Sequence, residues 1–139
     1  MKKFVGVIIA TLTLVLCFTL SACGSKYVSH YSSSAMTTTS TSTQASVSFS
    51  TFNGTYVMKL KNTGDGEVSI TYNATLEEGT IKVYYDFNDE KLDMFEIGTD
   101  GSVEGKTETF TGNKTVYVII ESDGKCKEGS FLFALKKAE

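Results

Sequence analysis

Residues 81–87 read Ile81-Lys82-Val83-Tyr84-Tyr85-Asp86-Phe87. Ile81, Val83, Tyr85 and Phe87 fall on one side of an extended chain, and Lys82, Tyr84 and Asp86 on the other. A period of two belongs to a half-buried β-strand, because successive side chains leave a strand on opposite faces. The alternation continues outward in both directions. Upstream, Tyr56, Met58 and Leu60 share a face, as do Val68, Ile70, Tyr72 and Ala74. Downstream, Val116-Tyr117-Val118-Ile119-Ile120 is apolar on both faces and reads as a central strand, and Phe131, Phe133 and Leu135 alternate near the end. Val47-Phe49 and a polar run from Val103 to Phe110 bring the count to about eight strands. Between Leu92-Met94 and Phe95-Ile97 the alternation goes out of phase, which predicts a bulge.

The punctuation agrees with this reading. Asn53-Gly54, Asp65-Gly66, Asp100-Gly101 and Asp123-Gly124 are dipeptides that favour positive φ and predict turns, and Glu78-Gly79 and Gly112-Asn113 mark two more. Many short strands at such spacing predict an all-β, antiparallel β-sandwich or jelly-roll-like domain over 46–139, with a barrel as the alternative. A domain of about 95 residues buries ~60–65% of its unfolded surface, which suffices without disulfides.

The chain before the domain divides in two. Met1-Lys2-Lys3 is a short positive start, and Phe4 to Leu20 is an uncharged, mostly apolar run. Leu20-Ser21-Ala22-Cys23 closes that run with a leucine, two small residues and a cysteine, and resembles the lipobox of bacterial lipoproteins. The resemblance implies a signal peptide over 1–22, cleavage between Ala22 and Cys23, and a diacylglyceryl group on the Cys23 thiol. Two acyl chains make a stable anchor where one gives only marginal binding, since each buried CH₂ contributes ~0.8 kcal/mol. A plain transmembrane anchor or an unlipidated secretory signal are the alternatives. From Cys23 to residue 45 the sequence is dominated by serine and threonine without hydrophobic period, which predicts a flexible linker. About 20 such residues reach ~25 Å and would hold the domain off the headgroups.

Composition narrows the partners. The chain holds 13 lysines and no arginine against 16 acidic residues, a net charge of −3. Loss of Lys2 and Lys3 with the signal leaves 11 lysines against 16 acids, or −5. That balance argues against nucleic acid and against electrostatic docking on anionic lipid, so membrane attachment is expected to be hydrophobic. Cys17 leaves with the signal and Cys23 carries lipid, so Cys126 remains alone and is expected to be a structural thiol.

Phe52-Asn53-Gly54-Thr55, Ile70-Thr71-Tyr72, Glu78-Gly79-Thr80-Ile81-Lys82-Val83 and Lys127-Glu128-Gly129-Ser130-Phe131 together look like small lipoproteins of Gram-positive bacteria. The resemblance covers roughly Thr51 to Leu135 and implies a β-sandwich as the soluble part. It carries no catalytic residue over.

Candidate sites are few. The domain has no histidine, which excludes Ser-His-Asp, Cys-His and histidine-ligated zinc within it, and His30 stands alone in the linker. Asp86, Asn88, Asp89, Glu90 and Asp93 concentrate oxygen ligands in one loop, where Ca²⁺ or a plain solvated turn are the two readings. No other cofactor is implied. Tyr84 and Tyr117 each lie opposite the core residues of their strand, and exposed tyrosines on a sheet face stack on sugar rings or anchor a protein. These features predict a lipid-anchored, non-enzymatic binding or interaction module on the extracytoplasmic side of the cell membrane. Its partner would be an envelope protein or a wall polysaccharide. An accessory subunit of a membrane assembly is the alternative, and a carbohydrate-active enzyme the third reading.

Overall fold

The structure is a computed structural model and describes residues 27–62, 64, 66–87, 89–111 and 115–138. The expected signal peptide over 1–22, Cys23, Asn88 and the Gly112-Asn113 pair lie outside the described residues. Nine strands follow in order: β1 (His30–Ser34), β2 (Thr37–Ser40), β3 (Gln44–Lys61), β4 (Val68–Glu78), β5 (Ile81–Asp86), β6 (Lys91–Ile97), β7 (Gly101–Lys106), β8 (Thr115–Ser122) and β9 (Cys126–Lys137). All pairings among them are antiparallel, and the described residues contain no helix.

Hydrogen bonds join the strands in the order β6-β5-β8-β3-β9-β4-β7, with β1 and β2 added on β3. The path folds into two layers because β3 changes partner along its length. Gln44 to Phe52 pair with β9, and Thr55 to Lys61 pair with β8. The change falls at Asn53-Gly54, where Gly54 takes a φ of +128°. This dipeptide was expected to mark a turn between two strands. It instead bends one 18-residue strand from one layer into the other, which only a residue without Cβ does cheaply.

One layer is β7-β4-β9 with the first half of β3, and the other is the second half of β3 with β8-β5-β6. Their inner faces carry the alternating apolar residues read from the sequence. Val47, Phe131, Ala74 and Val103 lie in register across the first layer, and Leu92, Tyr85, Val118 and Met58 across the second. Phe95 of β6 crosses the interior, stacking on Tyr72 at 4.6 Å with Phe131 and Phe133 at 6.4 and 6.3 Å. The result is the expected antiparallel sandwich. The predicted bulge is also present: Val83 pairs with Phe95 and Tyr84 with Asp93, so Met94 is the extra residue.

The linker reading over 23–45 differs from the structure in part. His30–Ser34 and Thr37–Ser40 are strands paired with β3, although every side chain in them is exposed. Their order comes from backbone hydrogen bonds to a strand that is already fixed, so no apolar pattern is needed.

Cys126 is fully buried against the β4–β5 turn. Its Sγ donates to the Thr80 carbonyl at 3.5 Å, and a Cβ on Gly79, whose φ is +110°, would meet that sulfur at 2.5 Å. Burial is the first cause that pushes the thiol above its ordinary pKa, with Asp123 adding to it and the Thr80 bond opposing. Burial likewise raises the Tyr85 hydroxyl, helped by Glu108. Both shifts favour the neutral form in the folded chain. Their stabilisation is therefore full below the unfolded pKa values of about 8.5 and 10 and is lost as pH rises through the raised ones. Native protein at pH 8 is expected to react with a thiol reagent on the order of a thousandfold more slowly than unfolded protein. Comparable rates in native and denaturing buffer would contradict the burial.

Candidate functional site: two outer sheet faces

A two-layer sandwich has two outer faces, and this chain makes them chemically different. The first belongs to the β3-β8-β5-β6 layer. Tyr84 pairs with Ile119 and Asp86 with Tyr117, so the two predicted tyrosines are diagonal neighbours on one face, as their alternation implied. Both rings are half-buried and already engaged. The Lys91 Nζ sits 4.2 Å from the Tyr84 ring centre and 3.0 Å from a Glu121 carboxylate oxygen. The Lys59 Nζ lies 5.8 Å from the Tyr117 ring, which also meets the edge of Tyr27 at 5.4 Å.

Tyr27 is the residue that sequence reasoning missed on this face. Its hydroxyl donates to Asp86 Oδ2 at 2.5 Å, and the Ser29 hydroxyl accepts from the Val57 amide at 2.9 Å. Residues 27–29 are thus tied across β5, β8 and β3. Asp86 and Ile119, both outward-facing, are each 2% exposed. A tyrosine within a serine-rich stretch was the one available signal, since its partner lies 59 residues away.

The acidic set is not gathered into one site. Asp86 turns its carboxylate to Tyr27, Asp93 stands on β6 opposite Tyr84, and Asp89, at a φ of 58°, and Glu90 are exposed in the β5–β6 turn. Among the described residues no three His, Cys, Asp or Glu side chains are placed to hold a metal ion. Asp86 and Asp93 share the outer face, but the Asp86 carboxylate is taken up by Tyr27, and Asp89 and Glu90 lie in the turn beyond the strand ends.

The second face belongs to the β3-β9-β4-β7 layer, extended by β2. Register lines its side chains into cross-strand rows. One row runs Thr37, Ser48, Ser130, Thr75, Ser102, a hydroxyl on each of five successive strands. The next runs Thr39, Ser46, Leu132, Asn73, Glu104. Adjacent members stand about 4.8 Å apart. Two grooves open on this face. One of about 600 Å³ is lined by Ser48, Ser50, Thr75, Ser130 and the carboxylates of Glu77 and Asp100. The other, of about 430 Å³, is lined by Gln44, Thr71, Asn73, Glu104, Lys106 and Leu132. Leu132 is 40% exposed between rows of polar groups.

The chain matches no family model and no curated protein. Among solved structures it is similar to TmCBM61 in complex with β-1,4-galactotriose, at 14% identity over 68% of this chain and 71% of that one, with a TM-score of 0.49. It is also similar to CsCBM6-3 from Clostridium stercorarium in complex with cellobiose, at 13% identity over 81% and 89%, with a TM-score of 0.46. A third similarity is to the C-terminal CBM6 of LamC from Zobellia galactanivorans, at 12% identity over 77% and 92%, with a TM-score of 0.40.

Proposed function

We propose that this protein is a non-enzymatic binding module of the bacterial cell envelope, anchored by lipid on Cys23 at the extracytoplasmic side of the membrane. Its ligand is a polyhydroxylated polymer, a wall polysaccharide, held on the outer face of the β3-β9-β4-β7 layer. The observation that carries the reading is the pair of hydroxyl- and amide-lined rows, with a groove at each end of the same face. Hydroxyls donate and accept at once, and Asn73 and Gln44 do both through separate atoms. Such groups match a ligand that presents many hydroxyls in both roles. A single hydrogen bond contributes only about 0.5–1.5 kcal/mol net, so a ligand of this kind needs an extended row rather than one contact.

The tyrosine face is the less favourable site. A sugar stacking on Tyr84 or Tyr117 would first displace Lys91 from one ring, or Tyr27 and Lys59 from the other.

The test is co-sedimentation with purified wall polymer. Thr75→Lys combined with Leu132→Glu is expected to weaken binding by about tenfold or more, equivalent to 1.4 kcal/mol, and Tyr84→Ala is expected to leave it unchanged. The opposite pattern would return the ligand to the tyrosine face. Stoichiometric capture of an envelope protein without polymer binding would favour the accessory-subunit reading.

A further inference from the structure

The way the N-terminal segment is fastened has a geometric consequence for the anchored protein. Three residues, 24–26, separate Cys23 from Tyr27. A fully extended chain places the Cα atoms of Cys23 and Tyr27 at most about 14 Å apart. Tyr27 is already held on the domain by Asp86 and Tyr117, and Ser29 by Val57. From His30 the chain then runs as a strand along β3. The length available to separate the domain from an anchor at Cys23 is therefore three residues, rather than the twenty or so that the composition of 23–45 implies.

We infer that the outer face of the β3-β8-β5-β6 layer, with residues 27–29 lying at it, is a docking surface for the bilayer that holds the anchor. This rests on the lipidated Cys23 of the proposed function. The exposed apolar side chains agree with it. Val28 at 74%, Tyr31 at 42% and Leu132 at 40% are the large hydrophobic residues exposed among the described ones. Val28 lies on the short segment that leads to Cys23 and adds apolar contact, whereas the Tyr31 ring packs on Phe52 and Tyr56 at the core side of β3. Lys59, Lys82 and Lys91 stand on the same face, together with Asp93, Glu96 and Glu121. The mixture leaves it near neutral, so contact depends on the anchor and on Val28 rather than on charged lipid. The hydroxyl rows on the other layer then face away from the membrane, toward the wall.

The test uses the full-length mature protein in phosphatidylcholine–phosphatidylglycerol vesicles. An environment-sensitive fluorescent amino acid replaces Val28 in one preparation and Leu132 in another. Lipids carrying brominated acyl chains serve as the quencher. Loss of most of the emission at position 28, and none at position 132, is the expected result. Tyr27→Ala with Ser29→Ala is expected to restore much of the emission at 28 by freeing the segment. Lipidation is scored separately, by flotation with the vesicles and by the mass of the N-terminal peptide. Protein that floats with position 28 unquenched, or with 132 quenched equally, overturns the docking and spares the anchor. Protein that does not float overturns both.

Discussion

Phe131→Ala is expected to lower the unfolding free energy by about 3–5 kcal/mol. Phe131 is 1% exposed, on the strand between β3 and β4. Its ring lies 6.2 Å from Phe49 and 6.5 Å from Phe133 in its own layer, and 6.4 Å from Phe95 of the facing layer. Truncation removes apolar contact from both layers at once. The cavity does not collapse easily, because the surrounding rings sit on strands whose spacing is fixed by hydrogen bonds. A domain of this size is stable by about 5–15 kcal/mol, so the loss is about a fifth or more of the total. Leu132→Ala, one residue on and facing solvent, is the control and is expected to change stability by no more than about 0.5–1 kcal/mol. Urea titrations of the two variants check this. Equal midpoints would mean that the layers do not pack through the Phe131 ring.

Strands whose inner residues pack in the interior were readable because alternation records burial. In β5 the burial of Ile81, Val83 and Tyr85 follows the apolar pattern directly. The out-of-phase step at Met94 was readable for the same reason, since an extra residue shifts every following side chain to the other face. β1 and β2 left no such trace. Their neighbourhood, residues 30–40, is mostly serine and threonine, and what pairs it is the backbone of β3, which no local pattern reports. The same limit applies to the site. The shared face of Tyr84 and Tyr117 follows from strand period, whereas its cover by Tyr27 depends on a contact between distant segments. The hydroxyl rows were hidden for a different reason. Ser46, Ser48, Thr75, Ser102 and Ser130 each read as an ordinary solvent-facing position, and only register across five strands makes them one surface.

Register also explains how one sandwich presents two chemically different outer faces. The tyrosine face is closed by the protein's own N-terminal segment, and its outward Asp86 and Ile119 are buried as a result. The hydroxyl face has no such cover among the described residues, and both of its rows include β2. The ordering of Thr37–Ser40 on β3 thus widens the proposed ligand surface, while the fastening of Tyr27 and Ser29 shortens the reach from Cys23.

Gly54→Ala is expected to break this arrangement at its corner. A methyl group there would overlap the His30 carbonyl oxygen and lie 2.7 Å from the Tyr31 Cα. It would also hold an L residue at a φ of +128°, which costs about 1–3 kcal/mol before any overlap is relieved. Gly98→Ala is the control, because nothing lies within 4 Å of a Cβ at that position. Relief at Gly54 has two routes: β3 straightens and pulls the layers apart, or β1 leaves β3. The second is the smaller loss, since in β1 only the Tyr31 ring packs on the domain, against Phe52 and Tyr56, so the domain is expected to fold with a Tm lowered by roughly 4–8 °C for each kcal/mol lost. Amide exchange separates the routes. Loss of protection confined to 30–34 marks departure of β1, and loss spread over β3 and β8 marks opening of the bend. A variant as stable and as protected as Gly98→Ala would mean that the bend does not depend on the missing side chain. Departure of β1 alone leaves Tyr27 on Asp86 and Ser29 on Val57, so the proposed short tether would be unchanged in the same variant.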